Sequence, residues 1–219
     1  MSEPTLILFD CDGTLMNGGV VVAEVMKETF VNMGMKPPSS SDVFRLIGLN
    51  LDIVIQRLGV EDENIHIFVS EYKKNMLQRR EKGPLYEPLY DGIFDLLQKL
   101  SHQPHLLLGV ATGKSLRGLM LALKHHEIDR YFTVFRTPDH GPGKPDPFMI
   151  TDAAKSLGIT SERTMMIGDT SFDMKMACAA HAKAVGVSWG YHSAEHLFGS
   201  GAGYVAANTR ELYEIIMDF

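Results

Sequence analysis

The apolar run Leu6-Ile7-Leu8-Phe9 stops abruptly at Asp10-Cys11-Asp12-Gly13-Thr14. Residues 5 to 9 are too short a run for a helix and read as a fully buried strand. The same design recurs twice. Leu106-Leu107-Leu108-Gly109-Val110-Ala111 runs into Thr112-Gly113-Lys114, and Met165-Met166-Ile167 runs into Gly168-Asp169-Thr170 with Asp173 just beyond. In an open parallel sheet the carboxyl ends of the strands share one edge. Asp10, Asp12, Thr112, Asp169 and Asp173 are therefore expected to converge.

The spacing predicts helices between these strands. Val20 to Met33 has a helical rhythm, broken by Gly34, Pro37, Pro38 and the serines Ser39 to Ser41. Asp42 and Asp52 are expected to cap two short helices, and Glu61 to Lys82 a long helix or a pair. Its basic cluster, Lys73-Lys74 and Arg79-Arg80-Glu81-Lys82, reads as a solvated face. Pro84 and Pro88 then punctuate the chain. From Asp91 onward helices alternate with strands near 106–111, 133–136, 164–168, 183–187 and 204–205. Such alternation implies an α/β fold with a parallel sheet covered on both faces. Nothing between Val20 and Lys82 reads as strand, so that block is an insertion after the first strand.

Composition excludes several classes. The net charge of −6 and the absence of a basic patch argue against nucleic-acid binding. No apolar stretch is long enough to span a membrane. The two cysteines, Cys11 and Cys178, have neither metal-type spacing nor the density of a disulfide scaffold. With an N-terminal apolar run that ends at Asp10, the expectation is a cytoplasmic protein. Nothing in the 219 residues sets an oligomeric state. The nine histidines are scattered, with His125-His126 at a helix end and His140 in a loop, and the thirteen methionines read as core filling.

Converging carboxylates repel one another and need compensation. A divalent cation supplies it, and an all-oxygen donor set favours Mg²⁺. Lys144, within Gly143-Lys144-Pro145-Asp146-Pro147, adds a further positive charge. Cation, lysine, threonine hydroxyl and backbone N–H groups together form a receptor for a phosphoryl group. Asp10 ends the strand, is least able to move, and is the expected nucleophile. Asp12, two residues on among other carboxylates, suits a general acid and base. Gly13 lets the chain turn between them.

The series Asp10-Cys-Asp12-Gly13-Thr14-Leu15, Thr112, Lys144 and Gly168-Asp169-Thr170-x-x-Asp173 resembles the haloacid dehalogenase-like hydrolases, in the branch of the phosphoglycolate phosphatases. The resemblance spans nearly the whole chain. It implies a Rossmann-like parallel-sheet core of residues 1–15 and 87–219, with an inserted α-helical cap of residues 16–86 that closes over substrate. It implies Asp10 as nucleophile, Asp12 as acid/base, and Thr112, the Gly113 amide and Lys144 as phosphate-binding groups. It implies a Mg²⁺ site from Asp10, the backbone carbonyl of Asp12, and Asp169, supported by Asp173. Arg45, in Phe44-Arg45-Leu46-Ile47-Gly48-Leu49, resembles the cap position that reads the substrate. Two departures stand out. Gly113 occupies a position where this branch often has asparagine, and Met16-Asn17-Gly18-Gly19 replaces the commoner Val-Asp-Ser, its glycines suiting a hinge.

The resulting expectation is a Mg²⁺-dependent phosphatase of a small phosphorylated metabolite, phosphoglycolate by resemblance, working through an aspartyl-phosphate. A sugar phosphomutase and a pyrophosphatase share the core residues. The retained Asp12 argues against the dehalogenases. A signalling receiver domain also forms an aspartyl-phosphate, but receivers are smaller and place the accepting aspartate on a later strand.

Overall fold

The computed structural model describes residues 3–83 and 85–219, so Pro84 lies outside the described residues. Strand β1 (Thr5–Phe9) is followed by four helices, α1 (Gly19–Asn32), α2 (Ser40–Phe44), α3 (Leu51–Arg57) and α4 (Ile65–Glu81). Then come α5 (Ile93–Ser101), β2 (Leu106–Ala111), α6 (Leu116–His125), β3 (Val134–Arg136), α7 (Phe148–Ser156), β4 (Thr164–Gly168) and α8 (Ser171–Ala179). The chain ends with β5 (Lys183–Val187), α9 (Ala194–Phe198), β6 (Tyr204–Ala206) and α10 (Thr209–Met217). The six strands form one parallel sheet in the order β3-β2-β1-β4-β5-β6.

Side chains alternate between the faces of a strand, and β1 divides accordingly. Ile7 and Phe9 pack with Leu97 of α5, Leu123 of α6 and Leu212 of α10. Leu6 and Leu8 pack on the opposite face with Met149 and Ile150 of α7 and Met174 of α8. These four apolar side chains are fully buried, each contributing about 1.5–3 kcal/mol relative to exposure. This places β1 at the centre of the sheet. Phe9 is in register with Val110 of β2 and Ile167 of β4, so three strands end level beneath their polar residues.

The four inserted helices gather a separate apolar cluster around Met26, Phe30, Ile55 and Phe68, joined by Phe172 of α8. Two expected caps lie elsewhere. Ser39 caps α2, its hydroxyl accepting from the Asp42 N–H at 3.1 Å, because extended backbone at Ser39 aims the side chain at the first turn. Asn50 precedes α3, and Asp52 lies inside the helix, accepting from the adjacent Ile53 N–H. The basic end of α4 is solvated in part only. Arg79 pairs with Glu24 and Glu28 of α1, whereas Arg80 turns inward to the buried Glu87. Helix α9 was not anticipated; Ser193 caps it, accepting from His196 N–H. Among the described residues no helix is long and apolar enough to cross a membrane.

Candidate active site

The level strand ends bring Asp10 after β1, Thr112 after β2 and Asp169 after β4 to one edge. The backbone N–H of Asp10 still donates to Ile167 O at 2.8 Å, so this carboxylate is held by the ladder itself. Gly13, at φ +94°, turns the chain away immediately afterwards. Asp173 arrives on the first turn of α8. Thr170 caps that helix, and Asp173 Oδ2 accepts reciprocally from the Thr170 N–H (3.0 Å) and hydroxyl (2.7 Å). Only Oδ1 of Asp173 is left for other partners.

Carboxylate oxygens of Asp10, Asp169 and Asp173 lie within 4.8 Å of one another, and all three residues are fully buried. Lys144 Nζ stands 2.8 Å from Asp10 Oδ1 and 2.6 Å from Asp173 Oδ1. These are charge contacts outside hydrogen-bond angles, and neither Asp10 oxygen has a hydrogen-bond partner. Asp169 is steered from both sides: Oδ1 accepts from the Thr14 hydroxyl (3.0 Å) and Oδ2 from the Tyr191 N–H (2.8 Å).

Were all three carboxylates ionised against one ammonium, two negative charges would stand uncompensated in a buried space. Burial raises the Asp10 pKa to about 7; Lys144 opposes that rise and Asp173 adds to it. Asp169 is pushed well above the carboxylate range by burial, then by Asp10 and Asp173. Burial disfavours the Lys144 ammonium, but Asp10 and Asp173 outweigh it and raise its pKa. The spread of the three carboxylates, their shared hard-oxygen chemistry and the charge deficit of two all fit one small divalent cation.

The side chain of Asp12 does not join this cluster. It faces Lys114, whose Nζ lies 3.1 Å from Asp12 Oδ2 and 2.8 Å from Glu87 Oε1. Burial raises the Asp12 pKa, opposed by Lys114. Thr112 is buried at the end of β2, and its hydroxyl accepts from the Lys114 N–H at 3.3 Å. The loop before α3 comes down on Gly113, with the carbonyl oxygens of Gly48 and Leu49 each 2.7 Å from where a Cβ on Gly113 would sit. Arg45 is not brought in. Its side chain is 74% exposed and lies 3.9 Å from Asp42.

Sequence reasoning missed two parts of this site. One is Glu87 and its pairing with Lys114. The other is the loop Trp189-Gly190-Tyr191-His192 after β5. Trp189 donates to Thr14 O, and the Tyr191 hydroxyl accepts from Gly19 N–H and donates to Asn17 Oδ1. The Tyr191 ring stacks on Phe44 of α2 at 5.5 Å. His192 accepts from Ser171 N–H at Nδ1, which leaves Nε2 to donate to Arg45 O at 3.3 Å. The signal was present: an apolar strand again gives way to polar and aromatic residues.

The chain is similar to known proteins. The family model described as haloacid dehalogenase-like hydrolase matches residues 7–187. The chain is 26% identical over 221 residues to a phosphoglycolate phosphatase of Pseudomonas fluorescens, covering 98% of this chain and 80% of that protein. It is 27% identical over 215 residues to the pyrophosphatase PpaX of Halalkalibacterium halodurans, covering 98% and 97% of the two chains. The crystal structure of a predicted phosphatase from Clostridium acetobutylicum superposes over 100% of both chains with a TM-score of 0.89 at 26% identity. With a family match that runs from within β1 to the end of β5, the chain belongs to the haloacid dehalogenase-like hydrolases.

Proposed function

We propose that the protein is a Mg²⁺-dependent phosphatase of small phosphate monoesters, acting through an aspartyl-phosphate on Asp10. The observation that carries this reading is the buried meeting of Asp10, Asp169 and Asp173 with Lys144. Asp10, Asp169, Asp173 and the Asp12 carbonyl would hold the cation, which would offset phosphoryl charge. An Asp10 oxygen attacks phosphorus as the ester P–O bond breaks. Asp12 gives its proton to the departing oxygen, then takes one from the water that attacks the aspartyl-phosphate. The Asp10–phosphorus bond breaks and inorganic phosphate is released. Lys144, Thr112 and the Gly113 N–H bind the phosphoryl oxygens.

Residues 16–86 serve in this reading as a cap, with Arg45 meeting the substrate from it. The relatives named for phosphoglycolate and for pyrophosphate support two substrates, an ester with a carboxylate-bearing leaving group and a phosphoanhydride. The lack of a membrane-crossing helix among the described residues fits the cytoplasmic placement proposed here. The test is hydrolysis of p-nitrophenyl phosphate with Mg²⁺, then comparison of kcat/KM across phosphoglycolate, pyrophosphate and sugar phosphates. Phosphate release from at least one, abolished by EDTA, supports the reading. No release from any of them with Mg²⁺ present overturns it.

A further inference from the structure

Lys114 and Glu87 are buried charges that the catalytic scheme above does not use. Lys114 follows directly on Thr112-Gly113, and its ammonium sits between Asp12 Oδ2 and Glu87 Oε1. Glu87 is 4% exposed and lies on the return linker from the helical block, with its second oxygen 3.2 Å from Arg80 at the end of α4. His126 Nε2 meets the Glu87 carbonyl at 2.8 Å, so the linker backbone is held as well. A chain of alternating charge therefore runs from Arg80 through Glu87 and Lys114 to Asp12.

The two Asp12 oxygens are not equivalent. Oδ2 faces Lys114, whereas Oδ1 is buried without any hydrogen-bond partner. A Cβ placed on Gly18 would fall 2.1 Å from Oδ1, so only a glycine there leaves room for that oxygen. A carboxyl that must carry a proton to a leaving group has to present one defined oxygen, and a charge contact on the other oxygen sets its rotation.

We propose that Lys114 and Glu87 are positioning residues that turn the Asp12 carboxyl so that Oδ1, beneath Gly18, exchanges the proton with the leaving oxygen. Lys114 holds Oδ2, Glu87 holds Lys114, and Arg80 anchors Glu87 to the helical block. The proposal rests on the assignment of Asp12 as the acid of the proposed phosphatase reaction.

The test uses dependence on the leaving group. kcat/KM reports the steps through departure of that group. A p-nitrophenolate leaves readily, whereas an alkoxide needs the proton. For wild type, Lys114→Met and Glu87→Gln, kcat/KM is measured on p-nitrophenyl phosphate and on an alkyl phosphate such as glycerol 3-phosphate. Lys114→Met is expected to raise the aryl-to-alkyl ratio of kcat/KM more than fivefold over wild type, and Glu87→Gln to shift it in the same direction. Glu87→Gln added to Lys114→Met is expected to change the ratio no further. A ratio that rises less than fivefold in Lys114→Met, whether activity falls uniformly or not at all, overturns the proposal. Should Lys114→Met not fold, Lys114→Gln carries the same criterion. Wild type inactive on both esters overturns the phosphatase reading itself, a separate outcome.

Discussion

Tyr191 joins two parts of the molecule that the sequence separates by more than a hundred residues. Its backbone N–H donates to Asp169 Oδ2 at 2.8 Å, and its hydroxyl accepts from the Gly19 N–H at 2.8 Å. The residue that orients one carboxylate of the acidic cluster is thus also fastened to the first turn of the inserted helices.

Tyr191→Phe keeps the backbone contact to Asp169 and removes the hydroxyl. The buried Gly19 N–H then loses its partner, which costs about 1–3 kcal/mol. Denaturant unfolding is expected to show that loss with an unchanged m-value. An unchanged midpoint would mean that this N–H finds another acceptor at no cost.

Asp10→Asn removes the proposed nucleophile while keeping the shape of the strand end. Steady-state turnover is expected to fall by at least about 10³-fold. Measurable hydrolysis near the wild-type rate, in a sample checked for deamidation by mass spectrometry, would exclude Asp10 from covalent catalysis.

Lys144→Met leaves Asp10 and Asp173 facing each other in a fully buried space. Breaking such a contact from one side costs about 3–5 kcal/mol. The variant is expected to unfold correspondingly earlier in metal-free denaturant titrations, and added Mg²⁺ is expected to recover part of the loss. Equal stability of variant and parent would show that the lysine charge is not compensating the pair.

Asp10 has an ordinary pKa near 3.8 when unfolded and about 7 in the metal-free fold, chiefly through burial. Between those values the folded state holds a proton that the unfolded chain has released. Stability therefore falls as pH rises through that window. Metal-free protein is expected to lose more melting temperature between pH 5 and 7.5 than Asp10→Asn does, and Mg²⁺ is expected to abolish the difference. Parallel melting curves for the two proteins without metal would contradict this.

Much of this site was legible because it lies where buried strands stop. Leu6–Phe9, Leu106–Ala111 and Met165–Ile167 each end in residues that a core would reject, and their parallel pairing puts those residues together. The caps of α2 and α3 were misplaced because several cap-forming residues crowd each helix start. Ser39 and Asn50 lie just upstream of the carboxylates that drew attention. Arg80 was read as solvated because charge runs on a long helix usually are, and only the returning linker supplies the buried Glu87 that turns it inward. The Trp189–His192 loop followed the same strand-end rule as the others. Its Tyr191 and His192 side chains act on the inserted segment, a relationship that no local pattern encodes.

Phe44 stacked on Tyr191 has a consequence for rhythm as well as for shape. Asp10, Lys144, Asp169 and Asp173 are fully buried, and that stack, with the His192 bridge to the Arg45 carbonyl, ties α2 and its following turn to the loop beside them. In the reaction proposed above an ester would have to reach these buried groups, and parting of the aromatic pair would be one way in. Were that opening to limit the proposed reaction, thickening the medium with a viscogen is expected to slow turnover of a reactive ester, whereas turnover independent of viscosity would place the limit elsewhere.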